Sequence, residues 1–104
     1  MLLPEHKFIV QHVFAPESSQ NGQHRFQRIL LNKPGYTDEF GEKVGKDDLF
    51  ECKVWNAAIE TLPALQTGDK VKALLNLHGS ENTDIQTGKK SYFAQLTLRK
   101  IEKI

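Results

Sequence analysis

The stretch Leu49 to Asn56, LFECKVWN, places a cation and a large aromatic ring on one side of a predicted strand. Side chains alternate between the two faces of a strand, so Lys53 and Trp55 share one face. The other face is wholly apolar, which predicts that it lies against a core: Phe50, Cys52 and Val54. An outward aromatic ring stacks on nucleobases, and a neighbouring lysine neutralises phosphates. The pattern therefore predicts a binding face at Lys53 and Trp55.

A second stretch, His24 to Asn32, repeats this combination with Phe26 and Arg28. The alternating residues Ile29 and Leu31 belong to the other face. We expect Phe26 and Arg28 to lie beside Lys53 and Trp55, although a register shift of one residue would turn Phe26 inward. Three residues of the C-terminal third would extend the same groove: Lys89, Lys90 and Tyr92.

Each aromatic residue also has a purely structural interpretation. A tryptophan at the end of a strand often covers the core, so Trp55 is either a cover or a stacking platform. Tyr36 and Phe40, in a glycine-rich segment, either hold that segment in place or contact a ligand. Arg28 and Lys53 are expected at the surface on either interpretation.

Catalytic and metal-binding patterns are not found. The four histidines, His6, His12, His24 and His78, are scattered, and the one cysteine, Cys52, leaves no zinc-type spacing. The acidic residues of 38–51 lie in a glycine-rich segment, whereas paired catalytic carboxylates need a rigid scaffold. We therefore predict no catalytic residue, no metal, no cofactor and no enzyme activity.

The composition describes an ordinary globular chain. Its 104 residues are 38% hydrophobic and 26% charged, and the net charge is +1, so bulk charge does not indicate nucleic acid. Cys52 excludes an internal disulfide, MLLPEHKF lacks a signal-peptide pattern, and no run is long enough to span a membrane. We expect a cytoplasmic protein without membrane association.

The order of the predicted elements indicates the fold. Strands are predicted over 7–14, 24–32, 49–56, 70–78 and 91–101, with a helical turn over 57–62 that Asn56 caps and Pro63 ends. Segments 33–48 and 79–90 are predicted to be a long loop or loose hairpin and a polar hairpin loop. A short helix between the third and fourth of five strands predicts a mainly β fold, a five-stranded OB-fold Greek-key barrel forming one domain over 1–104. An SH3-like barrel lacks this helix, and a ferredoxin-like fold needs two longer ones.

The chain resembles the bacterial single-stranded DNA-binding protein superfamily, and more closely a group of short bacterial OB-fold proteins. The resemblance rests on FECKVW, NAAIETLPAL and GDKV in 50–71 and on the terminal YFAQLTLRKIEKI. It implies binding of single-stranded nucleic acid without a cofactor, in a homo-oligomer, a dimer or a tetramer. It places Trp55 where such proteins stack bases, but Leu49 stands where many have another aromatic residue. The chain also ends in KIEKI, where such proteins continue into an acidic tail.

The sequence thus predicts a protein that binds single-stranded DNA, with RNA left open. Stacking on Trp55, Phe26 and Tyr92 would combine with phosphate neutralisation by four cations: Arg28, Lys53, Lys89 and Lys90. The alternative is an OB-fold module that holds protein partners together through its barrel or its 33–48 segment.

Overall fold

The computed structural model describes residues 1–104 as eight β-strands and one 3₁₀ helix. In chain order the elements are β1 His6–Val13, β2 Glu17–Ser18, β3 Arg25–Lys33, β4 Tyr36–Thr37, β5 Lys43–Val44, β6 Asp48–Trp55, the 3₁₀ helix Asn56–Thr61, β7 Lys70–Thr83 and β8 Lys90–Lys103. No helix has the length and apolar character needed to cross a membrane.

Five of the strands close into a ring. They are hydrogen-bonded in the order β1-β7-β8-β6-β3, and β3 pairs again with β1. The β6–β8 pair is parallel and the other pairs are antiparallel. The 3₁₀ helix follows the third strand of the ring and precedes the fourth. The predicted OB-fold barrel is confirmed.

The core lies inside this ring and follows the alternation of the sequence. Ten residues are buried, and all are apolar: Phe8, Val10, Ile29, Leu31, Cys52, Val54, Val71, Ala73, Leu75 and Leu98. Phe50 is partly buried and packs against them. The predicted inward set of β6 is therefore confirmed, and β6 presents its other face outward because successive strand residues alternate.

The turn after β6 differs from the prediction at Asn56. The helical turn forms and ends just before Pro63, but Asn56 is its first residue and not its N-cap; that position belongs to Trp55, without a side-chain cap. Asn56 has a φ of +50°, a left-handed conformation that asparagine tolerates better than most residues. Its side chain instead accepts a hydrogen bond from the Arg25 backbone amide at 3.0 Å.

The predicted polar hairpin loop over 79–90 is too long, because half of that segment is strand. β7 and β8 continue their pairing out to Thr83 and Lys90, leaving a turn of only six residues, 84–89. Asp84 stabilises that turn, since its carboxylate accepts hydrogen bonds from the Gln86 and Thr87 amides. Residues 78–95, called the arm below, are all exposed. A polar strand without a buried face shows no alternation of apolar residues, so the pattern did not reveal it.

The segment 33–48 is a loose hairpin, one of the two forms predicted for it. β4 pairs with β5, and Gly35 lies so close to the Gly45 carbonyl that a Cβ would come within 2.8 Å of its oxygen. Asp47 ties the hairpin to the barrel by accepting hydrogen bonds from the Gly35 amide at 3.1 Å and the Asn32 side chain at 3.3 Å. Lys43 forms an ion pair with the same carboxylate.

Candidate functional site

The outer face of β3 and β6 brings together four of the predicted site residues. The register pairs Phe26 with Trp55 and Arg28 with Lys53. The two aromatic rings lie with centroids 5.3 Å apart and tilted by 46°. Both residues are half-buried, and Trp55 belongs neither to the core nor to the apolar residues packed against it. Trp55 therefore lies on the outer face, outside the core cluster.

Lys53 lies over both rings. Its Nζ is 4.8 Å from the Phe26 centroid and 5.5 Å from the Trp55 centroid, within the range of cation–π attraction. No carboxylate lies within ion-pairing distance of this ammonium group. The cluster Phe26–Trp55–Lys53 thus combines flat apolar surface with a positive charge that is free to meet an anion.

Arg28 lies next to this cluster, but it already forms ion pairs with two carboxylates. Its Nε donates to Glu17 at 2.8 Å, and its Nη1 lies 3.5 Å from Glu51. The hydrogen bond to Glu17 raises the pKa of Arg28 above its ordinary value. The guanidinium also stacks on the Phe14 ring, with Cζ 4.3 Å from the centroid.

Sequence reasoning missed these partners of Arg28. Glu17 lies between the first two predicted strands, where the structure has the short strand β2 paired with β3. Glu51, in contrast, could have been found, because it shares the outward alternating set of β6 with Lys53. Leu49 is on the same set and is 56% exposed, so the position where the resemblance expects an aromatic residue is open to solvent.

An open cleft of about 500 Å³ leads from this face to the arm. Glu51 and Lys53 line its barrel side, and Phe93 and Gln95 line its arm side. Phe93 is 55% exposed and was not among the predicted site residues. Counting back from Leu98 and Leu96 in steps of two would have placed Phe93 on the outward face, and Tyr92 on the other.

The remaining three predicted residues lie on the arm, away from the Phe26–Trp55–Lys53 cluster. Tyr92 is 74% exposed, pairs across the arm with Glu81 and does not line the cleft. Lys90 forms an ion pair with Glu81 at 3.3 Å. Lys89 belongs to the turn and has no ion-pair partner.

Asn56 fixes how the two aromatic residues meet. Its side-chain oxygen binds the amide of Arg25, the residue before Phe26, and Asn56 itself follows Trp55. Its Nδ2 lies 3.3 Å from the His24 ring nitrogen. These contacts connect the end of β6 with the start of β3. They therefore fix the backbone next to Trp55 and next to Phe26, and with it the relative position of the two rings.

The thiol of Cys52 has no part in this face. Burial raises its pKa to about 12, so the group is protonated at neutral pH and packs as a small apolar side chain. No group of three or more histidine, cysteine, aspartate or glutamate residues lies close enough together to hold a metal ion.

Solved structures with a similar fold include two single-stranded DNA-binding proteins. No protein-family model and no curated protein matches the chain. The Plasmodium falciparum SSB in complex with ssDNA matches with a TM-score of 0.59 and 14% identity, over 99% of this chain and 93% of that one. A deletion mutant of the single-stranded DNA binding protein from Thermus aquaticus matches with a TM-score of 0.50 and 15% identity over 99% of this chain. The chain spans 51% of the Thermus aquaticus chain. The chain therefore has the OB-fold of these single-stranded DNA-binding proteins.

Proposed function

We propose that the protein binds single-stranded nucleic acid, DNA before RNA, on the outer face of β3 and β6. The observation that carries this proposal is the Phe26–Trp55–Lys53 cluster, in which two half-exposed rings lie beside an unpaired ammonium group. Stacking on such rings tolerates any base, because every base has a flat face. The similarity to two proteins named for single-stranded DNA binding supports the same conclusion.

The geometry suggests a path for the strand. Bases stack on Trp55 and Phe26 while Lys53 meets a phosphate, and the cleft leads the strand towards Phe93. Further contacts on the arm would come from Lys89, Lys90 and Tyr92. Arg28 contributes to phosphate binding only after a phosphate displaces Glu17 or Glu51, because both carboxylates occupy the guanidinium.

Fluorescence of Trp55 tests this function directly, since it is the only tryptophan. We expect oligo-dT to quench the emission at low salt, and the affinity to fall as salt rises, because phosphate contacts release counterions. The same titration with oligo-U compares DNA with RNA. Unchanged emission at low salt with both oligomers would contradict the proposal.

Substitution of Trp55 separates stacking from stability. Trp55→Ala should weaken binding of a labelled oligo-dT by about 1–3 kcal/mol, the contribution of one stacked base, or about 5- to 150-fold in Kd. Trp55→Phe retains a flat ring and should lose much less. Binding is measured by fluorescence anisotropy and stability by thermal unfolding. If both variants lose affinity only to the extent that their melting temperature falls, Trp55 has a structural role only.

A second candidate function is a protein-interaction module, as the exposed aromatic residues of the 33–48 hairpin suggest. Tyr36 is 71% exposed and Phe40 is 82% exposed, beside acidic residues. Large exposed aromatic side chains are enriched at protein interfaces. If this is the function, Tyr36→Ser/Phe40→Ser should abolish capture of a protein partner and leave oligo-dT binding intact.

We further propose that the protein forms a homo-oligomer, a dimer or a tetramer. In the arm, the outer edges of β7 and β8 have no strand partner beyond the β7–β8 pair itself, and such edges pair readily with another chain. Light scattering after gel filtration measures the mass, which is compared with the 11.9 kDa of one chain. A single monomeric peak at high concentration would contradict this proposal.

A further inference from the structure

The free positive charge of the protein lies mainly away from the aromatic face. Of fourteen lysine and arginine residues, six are in ion pairs. Three of the unpaired ones are neighbours on the outer face of β1 and β7: Lys7, Lys70 and Lys72. In the ring, β8 lies between β7 and β6, and β3 lies between β1 and β6. The surface of β1 and β7 is therefore not part of the aromatic face of β3 and β6. We call these three residues the back strip.

The register places the back strip on one continuous surface. Lys7 and Lys72 are directly opposite each other, and Lys70 is opposite Ile9, two positions along the same pair of strands. Their chain neighbours Phe8, Val71 and Ala73 are buried, so the three lysines point outward. A shallow depression of about 130 Å³ between Lys7 and Lys70 is lined by Ile9, Pro34 and Ile104.

The pair Lys7–Lys72 costs stability, because like charges directly opposite in a sheet repel. Carboxylates do lie near this surface, but other cations hold the closest ones. Glu102 pairs across the strands with Lys72 yet forms an ion pair with Lys100 at 3.0 Å, and Asp69 binds Lys103 at 3.2 Å. Glu5 also acts on Lys100.

On the outer face of β3 and β6, the repulsion between two opposite cations is compensated by carboxylates. There Arg28 and Lys53 are also directly opposite each other, and Glu17 and Glu51 compensate Arg28. On the back strip the compensation is weaker: Glu102 interacts with the charge of Lys72, but no carboxylate forms an ion pair with Lys7, Lys70 or Lys72. An external anion would therefore relieve the remaining repulsion. The surface is therefore suited to an anionic ligand that brings several charges in a row.

We propose that the back strip binds the phosphates of the same single strand after it leaves the aromatic face. This inference rests on the proposed function. Residues two apart on a strand are about 7 Å apart, similar to the distance between neighbouring phosphates of an extended strand. Lysine meets phosphate as a flexible point charge, and the apolar depression between Lys7 and Lys70 offers room for a sugar or base. An acidic protein surface would not need this spacing.

Oligomers of two lengths test the proposal with the double variant Lys7→Gln/Lys72→Gln. An oligo-dT of about 8 nucleotides lies within the range that one OB-fold occupies, whereas one of about 40 nucleotides reaches well beyond it. We expect the variant to bind the short oligomer as the wild type does. For the long oligomer we expect weaker binding. The slope of log K against log salt concentration, called the salt slope, should be smaller in magnitude by about 1.4, because two phosphate contacts are lost. Its melting temperature should be unchanged or higher.

The matched control is Lys33→Gln/Lys46→Gln, which removes the same formal charge elsewhere and should leave the slope for the long oligomer at the wild-type value. If the back-strip variant binds the long oligomer like the wild type, while both lengths quench Trp55, the back strip is not a phosphate site and the proposed function stands. The same result together with lost capture of an acidic protein would assign the strip to protein contacts. If neither oligomer quenches Trp55 in the wild type, both proposals fail.

Discussion

Arg28 shows how the charge of one residue depends on its neighbours. In isolation a surface arginine beside two aromatic rings is a strong phosphate ligand. Here the Nε of Arg28 donates to Glu17 and its Nη1 lies 3.5 Å from Glu51, while Lys53 on the opposite position remains unpaired. The face around Phe26 and Trp55 is therefore almost neutral, so we expect stacking to dominate the proposed interaction with a strand.

Release of Arg28 should strengthen binding. Glu17→Gln removes the carboxylate that holds the guanidinium at 2.8 Å. We expect tighter binding of oligo-dT at low salt and a salt slope steeper by about 0.7, because one more cation meets a phosphate. The measurement is a salt series of fluorescence titrations.

Glu39→Gln is the control for net charge, because it removes one negative charge from the 33–48 hairpin. An equal change of affinity and slope in both variants would mean that overall charge, and not the freed Arg28, causes the effect. A loss of binding in Glu17→Gln would contradict the competition between carboxylate and phosphate.

At the scale of elements, the 33–48 hairpin depends on one carboxylate. Asp47 accepts hydrogen bonds from Gly35 and Asn32 and pairs with Lys43. These contacts, the one to Lys43 first, lower the pKa of Asp47 to about 2. Most of the hairpin is exposed, so the barrel core adds little to hold it in place. The ionised form of Asp47 therefore stabilises the docked hairpin.

Acid should release the hairpin at a low midpoint. The pKa of Asp47 is lower in the folded protein than the ordinary value of about 3.9, so its contribution is complete above about pH 4 and is lost as the pH falls to about 2. The amide shift of Gly35, followed by NMR, should titrate with a midpoint near 2. Lys43→Gln should raise the midpoint, and Asp47→Asn should abolish it. The control Asp48→Asn should leave the midpoint of the Gly35 amide shift unchanged. A wild-type midpoint near 3.9 would contradict this role of Asp47.

At the scale of the whole molecule, the arm makes the protein elongated. The radius of gyration is 16.4 Å, compared with about 13 Å for a compact domain of this length, and the longest dimension is 55 Å. No residue of the arm belongs to the core. The barrel and the arm therefore depend on different interactions: the barrel on apolar burial, and the arm on backbone pairing and its turn.

The barrel should fold without the arm. His78 and Gln95 are directly opposite each other, so an Asn-Gly turn can replace residues 79–94. We expect a melting temperature within a few degrees of the wild type, a radius of gyration near 12–13 Å by small-angle scattering, and weaker oligo-dT binding, because Phe93 is lost. By contrast, the core variant Ile29→Ala should lower the free energy of unfolding by about 2–5 kcal/mol, measured by denaturant unfolding, because the side chain is fully buried. A truncated chain that fails to fold would show that the arm supports the barrel.

Much of the fold follows from the sequence. Alternation in β3 and β6 identified the inward residues Ile29, Leu31, Cys52 and Val54, because burial inside a barrel requires an apolar residue at every second position. The same alternation placed Phe26 and Trp55 on a common outer face. The helical rhythm of 57–62 between two strands indicated the OB-fold, since the helix needs only local contacts and a proline to end it.

Other features depend on contacts between distant segments. The arm has polar strands whose pairing produces no hydrophobic period, so the sequence alone could not distinguish them from a loop. The neutralisation of Arg28 requires Glu17 from β2 and Glu51 from β6, which meet only when both strands pair with β3. The repulsion between Lys7 and Lys72 likewise arises from the register of β1 with β7. The sequence by itself determined which residues face inward, because burial acts on each residue type; the tertiary structure decided which charges remain free, because pairing depends on which strands become neighbours.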